Sequence, residues 1–493
     1  MLSRHILMLS SRHRSAPLLL FLLHILCAVG VHLVFQPGAF AAANVPEVRG
    51  ASIPAAADAI SKPATTEATM KRLREIGLNT VYVECYRDGV TEYPSDTLKR
   101  TIGVDRNPTL MKNNPSHEGR DLLVETLIEA HRSSLVYIAM FGPPVAPKGT
   151  IEMTGHVPQD WLAIDKNGKV IMHDGQHPCL NPVHPAVNDF LRSLVVDAVM
   201  KYDLDGVQLD VRWPSIEAGY DAYTKGLYSK EHGGHEPPSD ASDNEWKAWR
   251  AGKLTEQAAT LASAVRNARP GLIVSVLVAP YPTCIDRDLC AWSDWSSASE
   301  RFGWSEFVMR LGSSAPSAEK DWLEQFNRAG APRVDLLACL ETDLPQPTWS
   351  EIKLWIDASR AIRATEADPA RKGAGHVLPI STIDAFSKEL GEFYKHDGAM
   401  IPSHPHFATR TPGDWRPAPS PPVPTGLKAP RDTEKWDIPT VLPAEYDIIA
   451  KENGVRRIVM HLNLVQSHPV LVIPTRYTEP ELILDRRPDL AAK

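Results

Sequence analysis

A chain of 493 residues, 43% hydrophobic and 23% charged, carries enough apolar material for a large core, as one barrel with additions or as two domains, and is not disordered overall. Its formal net charge of -7, with no lysine or arginine run in the body of the chain, leaves no electrostatic footprint for nucleic acid. The 42 prolines stiffen long loops, and the 12 tryptophans offer flat faces for core packing or for stacking on sugars.

The chain begins as an export signal does. Arg4, Arg12 and Arg14 precede an apolar run over residues 16–35, and Ala39-Phe40-Ala41 forms a small-x-small cleavage site before Ala42. The run, about 20 residues, is also long enough for an uncleaved anchor. His24 and His32 inside it, and the cleavage site after it, favour removal of residues 1–41 and an exported chain with no stable membrane insertion. In a disulfide-permissive compartment Cys284 and Cys290 are the natural pair, closing a small loop after a strand. Cys85, Cys179 and Cys339 cannot all pair with one another. With no Cys-x-x-Cys and no clustered Cys/His spacing, neither a metal centre nor a cofactor is expected.

The mature chain then alternates short β-branched runs with helical patterns. A weak strand over 48–53 precedes a helix over 66–76, with Met70, Leu73 and Ile76 on one face and Gly77 ending it. Residues 79–86 (NTVYVECY) read as the second strand, 121–133 as a helix, 135–141 as the third strand, and 185–202 as the helix that feeds the fourth. A helix over 246–268, stopped by Pro270 and Gly271, leads to a fifth strand at 272–279. Beyond it, 333–340 reads as a sixth strand, 350–363 as a helix and 376–383 as a seventh strand. Residues 396–443 are rich in proline and poor in periodicity, an insertion or arm. A helix at 444–453 and a strand at 455–463 read as the eighth unit, and the tail from Gln466 is irregular. The alternation predicts a parallel sheet with right-handed crossovers. Its regularity, with no glycine-rich phosphate loop after the first strand, predicts a (β/α)8 barrel, with its main part over 45–395 and its last unit in 444–493.

The fourth strand anchors the reading. Residues 201–214 run KYDLDGVQLDVRWP, and an extended chain over 204–213 points Val207, Leu209 and Val211 one way and Gln208, Asp210 and Arg212 the other. In a parallel barrel the C-terminal strand ends carry the site, so Asp210 lies where chemistry is expected and Asp205 lies at the strand's start. The competing role for Asp210, pairing with Arg212 or capping the next helix, is set against Trp213-Pro214, which make a loop with an aromatic wall.

Five further segments, in order, resemble the glycosyl hydrolase-like family 10 proteins, bacterial glycosidases with a TIM-barrel catalytic domain. They are Arg49-Gly50; GLNTVYVE (77–84) with EYPS (92–95); LNPVHPAV (180–187); YDLDGVQLD (202–210); and EWKAWR (245–250). The chain departs from that pattern at Glu84, where glutamine is usual, and at Cys339-Leu340-Glu341-Thr342, where a Pro-Gln-aromatic strand end is usual. The resemblance implies hydrolysis of a carbohydrate substrate, which needs two carboxyl groups flanking the bond. Asp210, with Arg212 two residues on, is the candidate nucleophile or base. Glu341, Glu84 and, third, Asp384 end other predicted strands and are the candidate acids, each with the alternative of a solvated or arginine-paired carboxylate. Tyr86, Trp161, Asn181 and Trp213 are candidates for shaping a sugar groove, the plainer role of Tyr86 and Trp161 being loop packing. Trp246 and Trp249 belong to a helix and read as packing. A carbohydrate-binding barrel without catalysis, or a cell-envelope scaffold carrying the proline-rich arm, are the alternatives. Glycan, linkage and oligomeric state are open.

Overall fold

The computed structural model describes residues 47–111, 120–148, 157–278, 305–311, 335–340, 347–365, 375–396, 445–452, 455–463 and 477–484. Eight parallel strands close into a ring: β1 (Val48–Ile53), β2 (Thr80–Arg87), β3 (Val136–Phe141), β4 (Gly206–Leu209), β5 (Ile273–Val278), β6 (Glu306–Leu311), β7 (Asp335–Leu340) and β8 (Gly375–Pro379). Strand β1 pairs with both β2 and β8, so the sheet has no open edge and the barrel is complete. Around it lie α1 (Pro63–Ile76), α2 (Asp96–Ile102), α3 (Leu122–Arg132), α4 (Pro185–Lys201), α5 (Ala222–Glu231), α6 (Asn244–Ala268), α7 (Trp349–Thr365), α8 (Ile380–Ala385) and α9 (Ser387–His396). None of these helices is long and apolar enough to cross a membrane.

Local chemistry sets the helix ends. Pro63 opens α1 where its missing N–H is not needed, and Gly77 closes it at φ 114°, a left-handed turn that suits glycine. Asp121 and Asp243 cap α3 and α6, their carboxylates accepting from the N–H of Val124 and Trp246 at 3.0 Å each.

Strand alternation divides the core in two. Val81, Val83, Tyr137, Ala139, Val207, Leu209, Val274, Val276 and Phe307 face the helices. Val48, Tyr82, Val136, Ile138, Ile273, Val308, Leu337 and Val377 form a separate cluster inside the barrel. Gly50 admits the Tyr82 ring there: a Cβ at Gly50 would stand 2.9 Å from Tyr82 Cε2.

Four expectations are corrected. The fourth strand is shorter than 204–213, because at its start the Asp205 carboxylate, rather than a strand carbonyl, accepts the Tyr137 N–H at 2.8 Å. The sixth strand is Glu306–Leu311, so 333–340 contains the seventh; an acidic residue facing the barrel interior interrupts the apolar pattern that marks its neighbours. Residues 376–383 divide into the end of β8 and the start of α8. Residues 444–453 are not a helix. Glu445–Glu452 (β9) pairs antiparallel with Val455–Asn463 (β10) and Tyr477–Leu484 (β11) in a separate three-stranded sheet, and the barrel closes without it. The period-two run Tyr446, Ile448, Ala450 carries that strand signal. The signal segment 1–41 and residues 397–443 of the proline-rich arm lie outside the described residues.

Candidate active site

The barrel opens at the C-terminal ends of its strands. Met140, Leu277 and Cys339 cap the interior cluster and are partly exposed, as are Ser52 and Glu84 on the same strand faces, while the layer beneath is closed. Glu84 is partly exposed at this end, and Asp210 is buried just beyond the end of β4. Their strands are separated by β3 alone, so their backbones stand about 10 Å apart across two strand spacings.

A β-bulge follows Glu84. The β2–β3 register shifts between Glu84 and Tyr86, leaving Cys85 as the extra residue. Alternation from Tyr82 puts Glu84 on the interior face, where its Oε2 accepts the Ala55 N–H at 2.9 Å and lies 3.8 Å from Arg87 Nε. Burial pushes the Glu84 carboxyl above its ordinary range, opposed by the Ala55 N–H and Arg87 and aided by the negative charge of Glu92. The buried Glu92 is itself pushed up by burial while its oxygens accept from Asn107 Nδ2.

Asp210 follows β4 directly. Its N–H donates to Phe141 O at 3.0 Å, extending the β3–β4 ladder by one step, and its carboxylate pairs with Arg212 at 3.1 Å. The Arg212 pairing weighed from the sequence is thus present together with the strand-end position. Just beyond, Trp213 is buried rather than presented to the mouth, its Nε1–H donating to Arg250 O at 3.0 Å. Arg250, from α6, fills the space behind this loop. Its guanidinium donates to the carbonyls of Ile216 (2.6 Å), Ala218 (2.7 Å) and Ala241 (2.7 Å) and lies 4.7 Å from the Trp246 ring centroid.

The other sequence candidates fall elsewhere. The bulge turns Tyr86 into the layer between sheet and helices, where it is buried and its hydroxyl donates to Val145 O at 2.9 Å; it does not line the mouth. Trp161 packs on Phe190 at 5.9 Å between ring centroids. Asn181 is fully buried and braces the start of α5, donating to Asp221 Oδ1 and Thr224 Oγ1 at 3.0 Å each. Asp384 sits on α8, exposed and ion-paired with Arg72 of α1. Trp246 and Trp249 stack on each other at 5.2 Å, as the helix reading expected. Glu341, Cys284 and Cys290 lie outside the described residues, while Cys85, Cys179 and Cys339 are free thiols.

Among the buried acids that the sequence reading did not single out are Glu92 and Glu306. Glu92 was visible only as part of EYPS. Glu306 opens β6 inside the barrel, where burial pushes its carboxyl up to about 7. Asp88, Asp174 and His177 bring ligand-type atoms within 4.8 Å of one another on the surface, a grouping able to hold a cation. His177 Nδ1 already lies 3.0 Å from Asp174 Oδ1, a pairing contained within one turn.

Fold and site together define a (β/α)8-barrel protein whose candidate chemistry sits among carboxyl groups at the C-terminal strand ends. The family described as Glycosyl hydrolase-like 10 matches residues 47–302, from the start of β1 to just short of β6, and the chain belongs to it. Among curated proteins it is similar to glycosyl hydrolase DigH of Escherichia coli K12 and of Shigella flexneri, in each case 25% identical over 317 residues. Each alignment covers 61% of this chain and 66% of the relative, so the chain spans just under two thirds of their length. A solved structure, the catalytic domain of beta-amylase from Paenibacillus polymyxa, aligns with a TM-score of 0.49 at 10% identity, covering 72% of this chain and 98% of that one.

Proposed function

We propose that this barrel is a glycoside hydrolase acting on a poly- or oligosaccharide, with a cell-envelope glycan as the first class to test. Asp210 serves as nucleophile or base and Glu84 as the acid, with Glu341 the alternative acid. The observation that carries the reading is the contrast between two carboxyl groups at one barrel mouth: Glu84 is pushed toward its neutral form by burial, while Asp210 is paired with a cation. Glycoside hydrolysis needs this division, a protonated group to release the leaving oxygen and an ionised one to attack the sugar or activate water. Side chains reaching toward the barrel axis narrow the backbone gap of about 10 Å toward the roughly 5–9.5 Å over which such pairs work.

Export of the mature chain, read from the N-terminal pattern, would place it where an envelope glycan is found. The test is a panel of dye-labelled polysaccharides that includes purified peptidoglycan sacculi, incubated with wild type, Asp210→Asn, Glu84→Gln and Glu341→Gln. Release of soluble dye by wild type and its loss in Asp210→Asn support the reading. Binding without release by wild type, unaffected by Asp210→Asn, selects the non-catalytic carbohydrate-binding alternative.

A further inference from the structure

The barrel interior beneath the mouth holds polar side chains that the proposed reaction does not use, joined into one line. Glu306 of β6 accepts the hydroxyl hydrogen of Tyr82 on Oε1 at 2.8 Å. In an eight-stranded ring β2 and β6 stand four strands apart, so this bond crosses the full width of the barrel. On the other side, Ser275, its directly opposed neighbour on β5, stands beside the Glu306 carboxyl and favours its ionised form. Ser275 Oγ in turn accepts from Gln208 Nε2 at 3.3 Å, Gln208 being its opposed neighbour on β4. All four side chains are buried.

The two ends of this line are not arbitrary. Tyr82 is two residues before Glu84 on the same face of β2, and Gln208 is two residues before Asp210 on the same face of β4. The line therefore runs under both candidate catalytic carboxyls and joins the strands that carry them, once across the barrel and once along its wall. An apolar plug would fill this space at lower electrostatic cost, since a buried carboxyl is expensive unless hydrogen-bonded. What a directional network adds over such a plug is a fixed relative position of the strands it joins.

We propose that Glu306 is a positioning residue of the site, tying β2 to β4 through Tyr82 on one side and Ser275 and Gln208 on the other, so that Glu84 and Asp210 are held at a working separation. The proposal rests on the glycosidase reading for its functional meaning, but its geometry can be tested without it.

The test compares wild type, Glu306→Gln and the double variant Tyr82→Phe/Glu306→Leu. Glutamine keeps an acceptor for Tyr82 and a polar partner for Ser275. The double variant removes both ends of the cross-barrel bond and leaves apolar groups of similar size, a change that can be nearly neutral for stability. On a glycan that wild type cleaves, the double variant is expected to lose at least tenfold in kcat with KM within twofold and a melting temperature no lower than wild type, while Glu306→Gln retains most of the turnover. Crystal structures of the three proteins should show the Glu84–Ala55 hydrogen bond or the Asp210–Arg212 pair displaced in the double variant alone. Wild-type kcat in a folded double variant, or carboxyls unmoved in its crystal structure, overturns the proposal. If the double variant does not fold, Gln208→Leu cuts the tie at its other end and is read in the same way. If wild type cleaves nothing on the panel, the glycosidase reading fails, and the crystal structures alone decide the positioning role.

Discussion

Replacing Glu306 by glutamine should make the protein more stable at neutral and alkaline pH and nearly indifferent there to further change in pH. Burial raises this carboxyl from 4.5 to about 7 in the folded barrel, so the folded state holds a proton that the unfolded chain releases earlier. Below pH about 4.5 both states are protonated and Glu306 costs nothing. As pH climbs toward 7 the unfolded chain gains the free energy of ionisation while the folded one does not, and stability falls; above 7 both are ionised and the loss is complete. A gap of about 2.5 units at 1.36 kcal/mol each gives about 3 kcal/mol. Glutamine cannot ionise, so at pH 8.5 its melting temperature should exceed that of wild type by about 6 °C, taking about 2 °C per kcal/mol for a large domain. At pH 4 the two should nearly coincide. Thermal melts followed by circular dichroism at pH 4, 5.5, 7 and 8.5 provide the measurement. Curves for wild type and Glu306→Gln that stay parallel across this range would refute the reasoning, because the carboxyl would then titrate alike in both states.

Asp210→Asn keeps the shape of the side chain and should melt within a degree or two of wild type, while turnover on any cleaved glycan falls by about a hundredfold to a thousandfold, as when one stabilising group at a developing charge is removed; near-wild-type turnover would move the site away from β4. Asp205→Asn should do the reverse. The Asp205 carboxylate accepts the Tyr137 N–H at 2.8 Å and lies 2.9 Å from His131 Nε2, so its loss should cost about 1–3 kcal/mol of stability and leave kcat intact, checked by urea unfolding beside the glycan assay. Cys284 and Cys290 are expected to form a bridge in the exported protein, worth the low end of about 2–4 kcal/mol for so short a loop; alkylation of both thiols without prior reduction would exclude it. N-terminal sequencing of the exported chain should begin near Ala42, against an intact Met1 in a membrane fraction.

The strands that face helices on the outside and apolar side chains within were legible, because NTVYVECY and the run after Pro270-Gly271 are nearly continuous β-branched or apolar stretches between clear stop signals. Strand β6 was not, because Glu306 puts a carboxyl inside the barrel where the pattern leads a reader to expect an apolar residue. Site geometry was legible only where strand parity holds. Asp210 obeys the alternation from Val207 onward and lies where that alternation puts it. Tyr86 obeys it in the sequence but not in space, since one extra residue at Cys85 reverses which side the following residue faces, and a bulge has no mark in VECYR that distinguishes it from regular strand. Trp213 stands beside the right strand in sequence, but it is buried and its N–H is used in holding the loop after β4.

The loop after β4 is held by a cation that answers to carbonyl oxygens rather than to a carboxylate. Burial pushes Arg250 down to about 10, which still leaves it charged throughout the range in which enzymes work. Its direct acceptors at Ile216, Ala218 and Ala241 do not titrate, and the bonds to Ala218 and Ala241, being buried, are shielded from dissolved salt. The clamp behind Asp210 and Arg212 therefore has no pH at which it lets go short of strong alkali, and no ionic strength that weakens it greatly. The loop itself therefore acts as an invariant support for the half-buried Arg212 and the buried Asp210 that it carries.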